Sequence, residues 1–200
     1  MTSRLPHLLR WGRYLADDRG RRIILHGINF GGWLMMEGYM LGGLNIPESA
    51  FKEHLKRKFG TKTVEEFTLR FRETWIGEKD IQNVKRLRMN CVRLPINYRM
   101  LEKEPLQYDE RGFRLLDRVL GWFEKYGIYV ILDLHAAPGG QNPDWHSDSG
   151  GRARLWDSPM FQRRTVELWR EIARRYRNRS VIAGYDLLNE AVVDEPDKLN

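Results

Sequence analysis

The chain has 200 residues and a formal net charge of +7 at pH 7, with 42% hydrophobic and 12% aromatic residues. This composition is typical of one globular domain with a sizeable core and excludes an intrinsically disordered chain. No apolar run has the length of a membrane span, so we expect no membrane partner. Residues 1–6 carry no secretory signal pattern, and Cys91, the only cysteine, cannot form an intramolecular disulfide and is expected in the core.

Seven arginines between residues 163 and 179 raise the question of nucleic-acid binding. Apolar side chains recur through the same segment at helical spacing. They are Val166, Trp169, Ile172, Ala173 and Tyr176. The pattern predicts an amphipathic helix whose arginines form a solvated face, and we expect no nucleic-acid partner.

The amino-terminal segment predicts a short hairpin, residues 13–15 with 21–22, that turns at Asp17-Asp18-Arg19-Gly20. A strand at residues 23–26 and a loop at 27–33 are expected to follow. Two or three helices are predicted between residues 47 and 88, one opened by Thr63 with Glu66 as a capping box. A second of these helices is expected to bury one face, formed by Ile81, Val84 and Leu87.

Three apolar runs predict strands of a parallel sheet: residues 90–95, 128–134 and 181–190. In the first of them, Pro95 is expected past the strand end, where its missing N–H does little harm. The third is short, mostly apolar and ends in Asn189-Glu190, so we expect it to be buried on both faces.

Amphipathic helices are predicted between these strands. Leu116, Val119, Leu120 and Phe123 mark a helix that ends at Gly127, a natural C-cap. A long polar loop from His135 to Asp157 precedes the arginine-rich helix, for which Ser158 is the expected cap and Pro159 the first helical residue. Strands alternating with helices indicate βαβ architecture.

Four polar side chains fall at or just after the carboxyl ends of the predicted strands: Arg93, His135, Asn189 and Glu190. Parallel α/β folds place their chemistry at that edge. We therefore expect a cation, a neutral histidine donor, an amide and a carboxylate to lie around one site.

Four motifs carry a resemblance to a known family. They are residues 27–34 (GINFGGWL), 90–96 (NCVRLPI), 132–142 (LDLHAAPGGQN) and 188–190 (LNE). In this order they resemble glycoside hydrolase family 5, the cellulase family, and most of all its exo-β-1,3-glucanase-like branch. The resemblance implies a (β/α)8 TIM barrel that cleaves β-glycosidic bonds with retention of configuration, and it implies no cofactor or metal.

The resemblance also implies roles for individual residues. Glu190 matches the general acid/base, and Asn189 matches the residue that hydrogen-bonds the sugar 2-hydroxyl. Arg93 matches the arginine beside the nucleophilic carboxylate. Substrate contacts are further implied for His135, for Glu37 and for Asn142. Trp33, Trp145 and Trp156 lie in or beside predicted loops, where sugar stacking and ordinary packing are equally good interpretations.

The sequence departs from the family pattern in two ways. Ala191 stands where the family usually has proline, and only about the first four βα units are found in residues 1–200. The family's nucleophile, which arises on strand seven, has no counterpart here. We therefore expect residues 1–200 to be the amino-terminal half of a catalytic barrel and to be inactive by themselves. Its partners would be a β-glucan or glucoside substrate and a complementary carboxyl-terminal half, supplied as a separate chain, a second copy or further sequence.

Two alternatives remain open at this stage. One is a non-catalytic glycan-binding or assembly half-barrel, which the missing nucleophile permits. The other is a metal-dependent barrel hydrolase, for which possible ligands exist. These are Asp133, His135, Asp144, His146 and Glu190.

Overall fold

A computed structural model describes residues 5–193. Its strands are β1 (Leu9–Trp11), β2 (Tyr14–Ala16), β3 (Arg22–Ile23), β4 (Gly27–Asn29), β5 (Cys91–Asn97), β6 (Glu102–Glu104), β7 (Gln107–Tyr108), β8 (Tyr129–Ala136) and β9 (Ile182–Asp186). Its α-helices are α1 (Glu48–Phe59), α2 (Thr61–Thr74), α3 (Glu78–Arg86), α4 (Glu110–Tyr126) and α5 (Pro159–Tyr176). Short 3-10 turns lie at Gly38–Leu41, Tyr98–Met100 and Trp145–Ser147.

A four-stranded parallel sheet in the order β4-β5-β8-β9 forms the centre of the structure. Along β5 and β8, alternate side chains point to opposite faces. Val92, Leu94 and Ile96 of β5, with Val130, Leu132 and Leu134 of β8, belong to the hydrophobic core shared with the helices. The intervening residues, including Arg93, Asp133 and His135, therefore lie on the other face. The predicted partial α/β barrel, in which strands of a parallel sheet alternate with helices along the chain, is confirmed.

Helix α4 and strand β8 follow the sequence prediction closely. Leu116, Val119, Leu120 and Phe123 have no exposed surface. The helix ends at Tyr126, and Gly127 caps it in the left-handed conformation with φ 65°. Because a glycine adopts that conformation without steric cost, the chain turns at once into β8.

The first barrel strand differs from the prediction. It is β4 at Gly27–Asn29, within the expected loop, and not residues 23–26. A Cβ on Gly27 would lie 1.8 Å from the Cys91 carbonyl oxygen, so only glycine permits this pairing. The antiparallel pairing of the predicted hairpin is found one residue later, between β2 and β3, and β1 adds a third strand.

Pro95 lies inside β5, opposite Asp133, and not past the strand end. The Arg93 carbonyl accepts from Phe30 N, and Asn97 N donates to Leu34 O, so this set of backbone groups faces the β4 side. The pairing of β4 with β5 ends at Asn29, which lies opposite Arg93. The missing N–H of Pro95 therefore faces a place where the neighbouring strand has ended, which is why the proline is tolerated.

Three further expectations need correction. Thr63 is not a cap, because α2 begins at Thr61 directly after Gly60. Leu87 is 63% exposed, because α3 ends at Arg86 and the residue lies past its last turn. Strand β9 is only partly buried, since β8 is the strand it pairs with among residues 5–193.

The arginine-rich helix α5 begins at Pro159 as predicted, although Ser158 makes no side-chain cap hydrogen bond. Ile172 and Tyr176 are buried, whereas Val166 is 49% exposed. Several arginines pair with acidic side chains of the protein. These pairs are Arg164 with Glu102, Arg170 with Glu167, Arg174 with Glu171, Arg175 with Glu110 and Glu171, and Arg179 with Asp117 and Glu124. Between residues 5 and 193 no helix is both long and apolar enough to span a membrane.

Candidate active site

Arg93, the third residue of β5, contacts each of the other three strands of the parallel sheet. Its Nη2 lies 2.9 Å from Asp133 Oδ2 on β8 and 2.9 Å from Asp186 Oδ2 on β9, and its Nη1 donates to Asn29 Oδ1 on β4 at 3.3 Å. Nη2 also donates to Asn189 Oδ1 at 2.7 Å. One guanidinium on β5 therefore contacts the last residues of β4 and β9 and a residue inside β8.

His135 lies between two carboxylates. Its Nδ1 is 2.7 Å from Asp133 Oδ2, and its Nε2 is 3.6 Å from Oε1 of Glu37, whose Oε2 accepts from Gly32 N. Burial on its own lowers the pKa of His135, but the hydrogen bonds to Asp133 and Glu37 outweigh burial and raise it to about 9. The expected neutral donor is therefore an imidazolium at pH 7.

Asn189 lies three residues beyond the end of β9 and returns to the sheet, where its N–H donates to Leu134 O at 3.2 Å. The side chain is buried, and Arg93 fixes its Oδ1. Its Nδ2 has no hydrogen-bond partner within residues 5–193. A buried amide donor without a partner is uncommon, and at this edge of the sheet it is available to a bound hydroxyl.

Glu190 lies at the open side of the cluster, with 67% of its side chain exposed. Its Oε2 is 3.4 Å from His146 Nε2. The residue has a φ of +45°, a left-handed conformation that non-glycine residues seldom adopt. Its carbonyl accepts from Asn142 Nδ2 at 2.9 Å.

Asn142 was predicted to contact the substrate. In the structure it has no exposed surface, and both of its polar side-chain atoms bind backbone: Nδ2 donates to Glu190 O, and Oδ1 accepts from Asp144 N at 2.9 Å. Substrate contact by this residue stays a prediction that the packing does not favour, because a sugar would need to displace one of these bonds.

The tryptophans of the predicted loops take different positions. Trp33 is fully buried and its Nε1 donates to Arg72 O, so it belongs to the core. Trp145 is partly exposed and packs edge-on against Tyr39 and against His146, beside Glu190. Trp156 donates to Gln141 O and lines an open cleft of about 440 Å³.

Sequence reasoning gave no place in the sugar site to Asp133, Asp186 or His146, although Asp133 and His146 were considered as possible metal ligands. Asp133 precedes His135 by two positions, so the two-residue period of a strand places both side chains on one face of β8. Asp186 of β9 pairs with Asp133 and therefore lies beside it on the same face. His146 is brought to Glu190 by an irregular loop, for which the sequence offers no period.

Metal binding finds no support in this geometry. Within residues 5–193, no group of three or more histidine, cysteine, aspartate and glutamate side chains is arranged to hold a metal ion.

Solved structures define the class of fold. Rutinosidase from Aspergillus niger superimposes with a TM-score of 0.72 at 19% identity, over 86% of this chain and 50% of that one. Endo-glycoceramidase II from Rhodococcus sp. gives a TM-score of 0.60 at 20% identity, over 90% and 42%. With its parallel sheet and outer helices, the structure is a partial α/β barrel.

Sequence comparison gives the family. Residues 55–198 match the family described as Cellulase (glycosyl hydrolase family 5). A beta-xylosidase of Phanerodontia chrysosporium is 42% identical over 182 residues, and endoglucanase C of Acetivibrio thermocellus is 32% identical over 173. A glucan 1,3-beta-glucosidase of Yarrowia lipolytica is 29% identical over 208 aligned positions. The chain belongs to glycosyl hydrolase family 5.

The alignments cover most of this chain and less than half of each relative. They span 90%, 86% and 95% of the chain but 38%, 40% and 48% of the beta-xylosidase, the endoglucanase and the glucosidase.

Proposed function

We propose that this chain forms the amino-terminal half of the catalytic barrel of a retaining β-glycosidase, with Glu190 as its general acid/base. The observation that carries the proposal is the cluster that Arg93 forms with Asn189 and, through Asp133, with His135, directly before Glu190 in the chain. The buried Nδ2 of Asn189 is unpaired in the described structure. Membership of a glycoside hydrolase family supports the reaction class.

In the proposed mechanism, a carboxylate outside this chain attacks the anomeric carbon while Glu190 gives its proton to the leaving oxygen. Water then cleaves the glycosyl-enzyme ester, and Glu190 takes the proton from that water. The two carboxyl groups must lie about 5–5.5 Å apart. Asn189 donates to the sugar 2-hydroxyl, and Arg93 keeps the nucleophile ionised.

Glu37 and His135 are proposed to bind sugar hydroxyls together. The imidazolium of His135 donates, and Glu37, only 4% exposed, accepts. A charged pair already partly desolvated by the protein makes stronger hydrogen bonds than neutral groups do.

Residues 1–200, with the hairpin near residues 13–22, are proposed to form one structural unit that further barrel segments complete. Strands β4 and β9 are the outer strands of the parallel sheet. The backbone groups on their open edges are suited to pair with additional strands. These segments can come from further sequence, a separate chain or a second copy, and they would supply the nucleophile.

The proposed substrates are β-linked glucose or xylose, because the relatives at 29–42% identity are named as a beta-xylosidase, an endoglucanase and a glucan 1,3-beta-glucosidase. Parallel assays with aryl β-xylosides and aryl β-glucosides separate the two sugars, since xylose lacks the hydroxymethyl group.

The test uses Glu190→Gln in the protein that contains this chain together with the remaining barrel segments. We expect a loss of turnover on the order of 100- to 10,000-fold on oligosaccharides, and a smaller loss in the first step on activated aryl glycosides. Proton NMR of the first product should show retained configuration. Glu104→Gln, at an exposed glutamate of β6, is the matched control. Equal and negligible losses on both substrates would remove Glu190 from the mechanism, and sugar binding without turnover by the unsubstituted protein would indicate a non-catalytic function.

A further inference from the structure

Gln141 connects strand β8 to the segment that carries Glu190. The residue has no exposed surface, and its side-chain Nε2 donates to His135 O at 2.7 Å and to Asn189 O at 2.9 Å. Its Oε1 accepts from Ala137 N at 3.1 Å. Both N–H donors of this amide and one of its two acceptor positions are therefore used within the protein, and the two donated bonds join the strand to the segment.

Asn142 makes the equivalent contact one residue further along both segments. Its Nδ2 donates to the carbonyl of Glu190, while Gln141 donates to the carbonyl of Asn189. Two consecutive side-chain amides thus bind the two consecutive carbonyls that flank the Glu190 N–Cα and Cα–C bonds. Rotation about these two bonds sets the direction in which the Cα–Cβ bond leaves the backbone, and so the region that the carboxyl group can reach.

Glu190 needs such support because its φ of +45° is left-handed. A glutamate in this conformation places Cβ close to backbone and is stable only where neighbouring contacts determine the backbone. The two amide donors are buried and fixed by further bonds, so they can supply that constraint. They are at hydrogen-bond distance, at 2.9 Å each.

We propose that Gln141 and Asn142 are positioning residues that hold the Glu190 peptide in its left-handed conformation and thereby aim its carboxyl group at the leaving-group oxygen. The proposal rests on the acid/base role of Glu190 proposed above. It assigns Asn142 a backbone-holding function in place of sugar contact, and it gives Gln141 a function that the sequence pattern did not indicate.

Isosteric variants remove only the donors. Gln141→Glu keeps the acceptor for Ala137 N, and Asn142→Asp keeps the acceptor for Asp144 N. Each loses its amide donor, and burial beside carbonyls leaves at most one carboxyl O–H in its place. Gln141→Met is a second variant of similar size that introduces no buried charge. Ser147→Ala is the control for loop order, because Ser147 Oγ binds Asn142 O and Asp144 O without touching the Glu190 peptide.

The assay uses the protein with its remaining barrel segments and compares an oligosaccharide with an activated aryl glycoside. We expect each donor variant to lose about tenfold in kcat on the oligosaccharide, and the double variant on the order of 100-fold, because a misplacement near 1 Å has that cost. Losses on the aryl glycoside should be several-fold smaller, and KM should change little. Ser147→Ala should lower kcat on the two substrates by the same factor, or leave both values unchanged.

A second measurement does not depend on activity. The three-bond coupling between the amide and α protons of Glu190, measured by NMR on the folded variants, reports φ, and both donor variants should shift it away from the value of the unsubstituted protein. An unchanged coupling, or equal losses on both substrates, would overturn the positioning role. If Glu190→Gln itself shows no dependence on the leaving group while the coupling shifts as expected, the proposed function fails and the backbone-holding contact stands.

Discussion

The charge on His135 gives a quantitative test of the site. Its side chain is 7% exposed and lies between Asp133 and Glu37, which raise its pKa to about 9 from an ordinary value of 6.5. Because the folded protein binds this proton more tightly than the unfolded chain, the stabilisation is fully present below pH 6.5 and is lost as the pH rises through 9. A difference near 2.5 pKa units at 1.36 kcal/mol each amounts to about 3 kcal/mol.

The assay is urea unfolding at pH 6 and pH 10, in the unsubstituted protein and in His135→Gln. The difference between the two proteins cancels the tyrosines and lysines that titrate in the same window. We expect the unsubstituted protein to lose about 3 kcal/mol more than His135→Gln between these pH values. Burial also raises the pKa of Asp133, so a variant at that position is needed to separate the two groups.

Asp133→Asn provides the matched perturbation. The substituted amide keeps the shape of the side chain and removes the charge 2.7 Å from His135 Nδ1, so the pKa of the imidazole should fall and the stability difference should shrink. The ring protons of His135, followed by NMR across the same pH range, report the titration directly. A midpoint near 6.5 in the unsubstituted protein would refute the reasoning, as would a midpoint that Asp133→Asn leaves unchanged.

Two further predictions concern the backbone. Gly127→Ala should destabilise the protein by about 1 kcal/mol, because its φ of +65° disfavours alanine although an added Cβ would meet no atom within 3.7 Å. Gly121→Ala lies inside α4 with space for a Cβ and should stabilise the protein by about 0.5–1 kcal/mol in the same denaturation assay. Equal effects of the two substitutions would contradict the conformational explanation. Ala191→Pro should push Glu190 from φ +45° towards extended backbone and break the bond from Asn142, costing at least about 1 kcal/mol. Amide–α-proton couplings and denaturation check the second change, and a φ that stays positive would contradict it.

The structure gives a physical reason for Ala191, which stands where the family usually has proline. Proline disfavours compact conformations in the residue before it. An alanine at this position leaves Glu190 free to take the left-handed conformation that Asn142 and Gln141 hold.

Much of the site was predictable because parallel strands bring their carboxyl ends to one edge. Arg93, His135 and Asn189 were placed there from the apolar runs before them, and the structure brings them into one cluster with Asp133. The charge state of His135 was not predicted. Its larger contribution comes from Asp133, two positions earlier on β8, and the other comes from Glu37, which only the fold brings beside the ring.

The sequence by itself determined the elements whose signals are local. The four-residue stripe of α4 and the glycine after it define that helix and its end, and the apolar run at residues 129–132 defines β8, since periodicity and glycine conformation do not depend on distant contacts. Only the tertiary structure decided which short segment became the first barrel strand, because Gly27 was selected by its close approach to Cys91. It also decided that Asn142 binds the Glu190 carbonyl, since a buried polar side chain takes the backbone partner that the fold brings within reach.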